Sequence, residues 1–178
     1  MTAEPAVSVV IPTIGRDSLR TAVESALAQT SPPMEIIVVL DADGDPDLPH
    51  SGTIKTVRTA GGVGPSLAKH LGIEASSGNV IALLDDDDVW RPGKLERQLA
   101  AAPPGDRWVV SSRFFVHVEG QEPVIGPRVP ITRDEPIAPY LFEFRMRKAF
   151  NLVQTSTLLF PRALVEQVGG FRHETLAE

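Results

Sequence analysis

The chain has 178 residues, is 42% hydrophobic and 22% charged, and carries a formal net charge of −6. That length suits one domain burying roughly 70% of its unfolded surface, and the acid balance argues against nucleic-acid binding. Zero cysteines exclude disulfides and thiolate metal sites and fit a cytoplasmic setting.

The opening Met1-Thr2-Ala3-Glu4-Pro5 has neither the basic nor the apolar region of a signal peptide. No apolar run approaches the ~20 residues that cross a bilayer, so any membrane contact is expected to be peripheral. Val7 to Ile11 is a β-branched run stopped by Pro12, and reads as the first strand. Thr13 to Arg16 is its loop. Asp17 or Ser18 is placed to cap a helix with Leu19, Val23, Ala26 and Leu27 on the helical period, ended by Pro32-Pro33. Glu35 to Leu40 is a second apolar strand, and it ends in acid: Asp41-Ala42-Asp43-Gly44-Asp45. Ile54 to Arg58 is a short third strand. Gly61-Gly62-Val63-Gly64-Pro65 leads into a helix from Ser66, its expected cap, to about Ala75. These glycines match neither the dinucleotide fingerprint nor the phosphate-loop pattern, which favours a plain tight turn over a phosphate cradle.

The densest signal follows. Five apolar residues, Val80 to Leu84, run straight into four aspartates, Asp85 to Asp88. A continuous Val/Ile/Leu run reads as a strand covered on both faces of a parallel sheet, and ligands of such sheets bind beyond the strands' carboxyl ends. Two like charges about 5 Å apart at an effective dielectric near 20 repel by roughly 3 kcal/mol. Clustered carboxylates therefore call for a cation, a proton or open solvent. In an extended segment Asp85 and Asp87 would share one side and Asp86 and Asp88 the other, which would let Asp85 and Asp87 share one hard metal ion. A solvated acidic loop is the plainer alternative.

Beyond the Trp90-Arg91-Pro92-Gly93 turn, Lys94 to Ala101 is helical with Leu95 and Leu99 on one face. Trp108 to Val118 reads as one long strand, and the proline-rich Glu119 to Pro139 as an irregular excursion or short hairpin. Tyr140 to Phe150 is expected to be helical, Thr155 to Phe160 a last strand, and Ala163 to Val168 a helix closed by Gly169-Gly170-Phe171. The order predicts an α/β domain over 1–178 with a mostly parallel sheet flanked by helices. Its second half, from about 103, is less regular.

Read together, several stretches resemble family 2 glycosyltransferases of the GT-A fold. They are Val9-Val-Ile-Pro-Thr13, the aspartates after the second strand, and Gly64-Pro-Ser-Leu-Ala-Lys-His-Leu-Gly72. Leu83-Leu-Asp-Asp-Asp-Asp88, Ser156-Thr-Leu-Leu-Phe-Pro-Arg162 and Val168-Gly-Gly-Phe171 continue the pattern. The resemblance implies a Rossmann-like domain that binds a nucleotide-diphospho-sugar in residues 1–102 and an acceptor in 103–178. It implies that Pro12 and Thr13 line the base pocket, that Asp41 or Asp43 bonds the base edge, and that Lys69 lies near the phosphates. Asp85 and Asp87 would bind Mn²⁺ or Mg²⁺, and Asp86 would assist at the ribose or metal. The ion would offset the charge that grows on the diphosphate as the sugar leaves. Three departures stand out: Ile14-Gly15 for an aromatic-Asn pair, Lys69-His70 for Arg-Asn, and the carboxylates after Phe171. Only Glu174 and Glu178 follow that turn, so the catalytic base of an inverting enzyme falls to Glu178 or to a continuation of the chain.

Two other readings compete. Leu84 to Val89 also fits the haloacid-dehalogenase phosphatase motif, with Asp85 as nucleophile and Asp87 as acid/base, although that motif opens a chain and here follows half of one. A nucleotide-sugar binder without its base is the other. His50, His117 and His173 are isolated and read as surface or structural, His70 shares the Lys69 helix, and Trp90 serves either stacking on a ligand or packing under the loop.

Overall fold

The computed structural model describes residues 4–128, 131–132, 136 and 153–171. Six strands form one sheet in the order β3-β2-β1-β4-β8-β5. They are β1 (Val7–Thr13), β2 (Glu35–Leu40), β3 (Ile54–Arg58), β4 (Val80–Leu83), β5 (Val110–Ser111) and β8 (Leu158–Pro161). The first four run parallel, and β8 is antiparallel to both β4 and β5. Every residue of β1, β2 and β4 is buried, as continuous apolar runs require when helices cover both faces. Val9, Ile11, Ile36 and Val38 meet α1 (Leu19–Leu27) and α3 (Lys94–Ala101) on one face. Val10, Ile37 and Val39 meet α2 (Gly64–Glu74) and α4 (Arg162–Val168) on the other.

Strand β1 runs through Pro12 to Thr13 instead of stopping before it. The Thr13 carbonyl accepts from the Asp41 N–H, so Pro12 has its nitrogen on the opposite side, toward β4. There the last ladder bond is Leu84 N–H to the Val10 carbonyl, after which β4 turns away. The proline leaves no ladder bond unmade.

Two expected caps are absent. Ser18 is helical and its hydroxyl caps nothing. Helix α2 begins at Gly64 rather than Ser66, because its first N–H groups are bonded by a carboxylate from another element, Asp41. A Cβ on Gly72 would lie 2.4 Å from Val10 Cγ1 and 2.8 Å from Val39 Cγ2. Glycine thus lets α2 lie directly on the sheet and brings Lys69 over the strand ends.

The expected single strand from Trp108 to Val118 is two. Strand β5 pairs only with Leu158 and Leu159, because the preceding Thr155–Thr157 is a 3-10 turn that offers no further ladder. The chain then leaves the sheet, and β6 (Phe114–Val116) pairs with β7 (Val124–Gly126) in a separate hairpin. Helix α4 ends at Gly169 with φ 81°, and the Gly170 N–H returns 2.9 Å to the Val165 carbonyl. The helix expected over Tyr140 to Phe150 lies outside the described residues, as do Glu174 and Glu178. Among the described residues no helix is long and apolar enough to cross a membrane.

Candidate functional site

From β1 the chain steps to β2 and β3 on one side, then crosses back to β4 on the other. Such a reversal opens a crevice beyond the carboxyl ends of the two diverging strands. A cleft of about 370 Å³ lies there. Pro12, Thr13, Ile14 and Arg16 line it from the end of β1, Asp41 from β2, Gly64 to Lys69 in part from α2, and Asp85 to Asp87 from the segment after β4.

That acidic segment is a turn, closed by the Asp88 N–H on the Asp85 carbonyl at 3.2 Å. The extended alternation expected for it, with Asp85 and Asp87 on one side, is therefore corrected. The turn sends each carboxylate to its own partner. Asp85 pairs with Lys69 Nζ at 2.8 Å. Asp86 is buried, accepts from the Thr13 hydroxyl at 2.6 Å, and lies 3.4 Å from Arg16 Nη1. Asp87 is 58% exposed and pairs with the same Arg16 nitrogen at 2.8 Å.

Ser156 from the second half and Trp90 from the first fix this turn. Ser156 Oγ accepts the Asp85 N–H at 2.9 Å, and the Trp90 indole N–H donates 2.8 Å to the Ser156 carbonyl. Trp90 is buried under the loop, with its backbone N–H on Ser25 Oγ and Lys94 Nζ 3.9 Å above its ring. Lys94 donates to Gln98 Oε1 at 2.7 Å, and burial brings its ammonium down to about 7. Gln98 donates in turn to the Thr157 carbonyl. Burial pushes the Asp88 carboxyl up; a hydrogen bond from Ser156 opposes this, and the charges of Asp87 and Asp85 add to it.

Asp41 closes the cleft from the β2 side. Its Oδ1 accepts from the Thr59 hydroxyl and from the Val63 N–H at 3.0 Å, and its Oδ2 from the Gly64 N–H at 2.9 Å. Burial disfavours the charge, yet these bonds and one from the Gly62 N–H hold the carboxyl below its ordinary value. The N-terminus of α2 thus has its anion already, from the protein itself.

Four carboxylates face two cations in this cleft, Asp41, Asp85, Asp86 and Asp87 against Arg16 and Lys69. Oxygen donors in excess of the neighbouring positive charge suit a hard divalent ion. Among the described residues no group of three or more Asp, Glu or His side chains already converges as a metal cage. Of the residues expected in the site, Pro12, Thr13, Asp41, Lys69 and Asp85 to Asp87 come together. Asp43 is exposed and does not line the cleft, and Glu178 lies outside the described residues. From the sequence alone Arg16 is only a loop residue. Its one signal is a guanidinium just past the carboxyl end of a buried parallel strand, where a ligand binds.

The family model described as glycosyl transferase family 2 matches residues 8–165. Among curated proteins, the uncharacterized glycosyltransferase YwdF of Bacillus subtilis is 29% identical over 178 aligned positions, covering 93% of this chain and 61% of its own. The succinoglycan biosynthesis protein ExoO of Rhizobium meliloti is 36% identical over 111 positions, covering 59% of this chain and 32% of its own. This chain spans less than two thirds of the length of either. Among solved structures, S. aureus TarS 1-349 with UDP-GlcNAc superposes with a TM-score of 0.63 at 17% identity, covering 92% of this chain and 47% of that one. The mannosyltransferase PcManGT of Pyrobaculum calidifontis, with GDP-Man and Mn²⁺, gives 0.63 at 18%, covering 96% and 48%. Both are GT-A glycosyltransferases, and at these identities they establish the fold: α/β, GT-A, with a mixed sheet and flanking helices.

Proposed function

The chain belongs to glycosyl transferase family 2, and on that premise we propose that it binds a nucleotide-diphospho-sugar and transfers the sugar, with inversion, to an acceptor hydroxyl. The observation that carries this reading is the excess of carboxylate over cation in a cleft at the switch point between β1 and β4. Residues 1–102 serve the donor and 103–178 the acceptor, whose identity is open. Asp85 and Asp87 would hold Mn²⁺ or Mg²⁺, and the ion would act as a Lewis acid on the diphosphate. The donor-bound, Mn²⁺-containing neighbour supports that assignment by likeness of fold.

The chain's own groups do the rest. Lys69, pinned beside Asp85, supplies a fixed positive charge where negative charge builds on the leaving diphosphate. Thr13 and Pro12 form the wall against the base, and Asp86, anchored by Thr13, serves the ribose. Asp41, which lines the cleft where Asp43 does not, takes the base edge. Glu178, or a carboxylate on a continuation of the chain, is the base that removes the acceptor proton. The haloacid-dehalogenase alternative is set aside, because its nucleophile would stand after the fourth strand of a chain that matches the transferase family from residue 8.

The test is calorimetric titration with UDP, GDP and dTDP, each with Mn²⁺ and with EDTA, on the native chain and on Asp87→Ala. Metal-dependent binding of one nucleotide, lost in the variant, is the expected result. Binding of none of the three under either condition would overturn the reading, and hydrolysis of the matching sugar nucleotide then separates an active transferase from a binder.

A further inference from the structure

We infer that Arg16 is an internal stand-in for the donor-site cation, released from Asp87 when a divalent ion binds and then turned onto the diphosphate. The inference rests on the donor-site reading above. Arg16 Nη1 lies 2.8 Å from Asp87 Oδ2 and 3.4 Å from Asp86 Oδ1, so one guanidinium bridges two adjacent carboxylates of the acidic turn. The two cations of the cleft differ in kind. The Lys69 side chain is 11% exposed and sits on a helix pressed against the sheet, so its pairing with Asp85 is fixed. The Arg16 side chain is 50% exposed, stands on the loop after β1, and follows Gly15 at φ 84°. Exposed ion pairs of this sort are weak and easily exchanged. A hard divalent ion competes for Asp87 with far greater charge density, and Arg16 then has no partner but Asp86 at the longer distance. Its fork of donors matches phosphate oxygens bidentately, and Arg16 already lines the cleft a diphosphate would enter. Nothing else on the open side of the cleft is cationic among the described residues: Arg16 and Lys69 are the only basic residues that line it.

The inference predicts opposite effects on two ligands, which a purely structural role would not give. Free Mn²⁺ is followed by its EPR signal as MnCl₂ is titrated into native chain, Arg16→Gln and Arg16→Lys. Arg16→Gln, which removes the competing charge, is expected to bind Mn²⁺ about 3-fold tighter. With Mn²⁺ saturating, the same variant is expected to bind the nucleoside diphosphate chosen by the native chain about 10-fold more weakly. Arg16→Lys keeps the charge without the fork and is expected to leave Mn²⁺ affinity native while weakening the nucleotide. Tighter Mn²⁺ with weaker nucleotide in Arg16→Gln supports the exchange. Unchanged or weaker Mn²⁺ binding, or unchanged nucleotide binding, overturns it. A native chain that binds neither Mn²⁺ nor any of UDP, GDP and dTDP fails at the earlier step, and that result rejects the donor site itself along with the inference.

Discussion

The two ends of the sheet use the same residue type in opposite ways. At the amino end of β2, Glu35 is buried and its carboxylate is fully matched. The Ser8 hydroxyl donates at 2.6 Å, Lys55 Nζ at 2.6 Å, and the Ser77 N–H completes the set. Burial disfavours this charge, but those bonds and the lysine charge hold the carboxyl down at about 2. At the carboxyl ends of β1 and β4, three carboxylates, Asp85, Asp86 and Asp87, share two cations, Arg16 and Lys69. A charge that the fold satisfies is holding the fold together. A charge that the fold leaves in excess is waiting for a ligand.

Two substitutions separate these roles. Asp87→Asn is expected to lower metal-dependent nucleotide affinity by more than about 100-fold, a loss that outer-shell changes alone approach. Its melting temperature should stay within about 2 °C of native, because its pair with Arg16 is exposed on both sides. Glu35→Ala should do the reverse. It strands the buried Ser8 hydroxyl, frees the Ser77 N–H and Lys55 of their partner, and is expected to cost about 2–3 kcal/mol. That corresponds to a fall in melting temperature of roughly 5–10 °C, with nucleotide affinity native. A Glu35 variant that melts normally, or an Asp87 variant that binds normally, would erase the contrast. The acid limb gives a second check. The folded value of Glu35, about 2, lies below the ordinary 4.5. Its contribution is therefore complete above pH 4.5 and is lost as pH falls toward 2. The gap in stability between native chain and Glu35→Gln should close over that window.

Between the two ends lies a third kind of charge, Lys94. It lies half-buried against Trp90 and donates to Gln98, and its value of about 7 lies below the ordinary 10.5. The unfolded chain holds the extra proton between those values. Native stability should accordingly rise with pH from about 7 toward 10.5, and the destabilisation is complete below 7. Lys94→Met should melt roughly 5 °C higher at neutral pH and lose that advantage as pH rises.

The parallel half of this fold was legible because its physics is local. Apolar runs 7–11, 35–40 and 80–84 are strands, and the acids that follow two of them stand at one edge once the strands are parallel. What the residues did not disclose depends on contacts between distant segments. Neither Ser18 nor Ser66 predicts that α2 is capped from β2. The break after Ser111 follows from the 3-10 turn at Thr155–Thr157, more than forty residues away. The pairing of Arg16 with Asp86 and Asp87 spans 70 and 71 positions, and no period in a sequence reports such a meeting.

Asp41 carries the smallest and most discriminating effect. A carboxylate has about four acceptor sites, and here Thr59, Gly62, Val63 and Gly64 bond to it. A base edge could gain a bond from Asp41 only by displacing one of these. Asp41→Asn keeps one acceptor oxygen and turns an amide donor toward the helix N–H groups. It is expected to cost about 1 kcal/mol, the usual price of a lost N-cap, and 2–4 °C in melting temperature. Because α2 carries Lys69 to Asp85, loosening its first turn should weaken UDP, GDP and dTDP by the same small factor, about 3-fold. If instead the variant loses only the preferred nucleotide and binds the others as before, Asp41 reads the base directly, and Asp41 gives up one of its four bonds when the donor arrives.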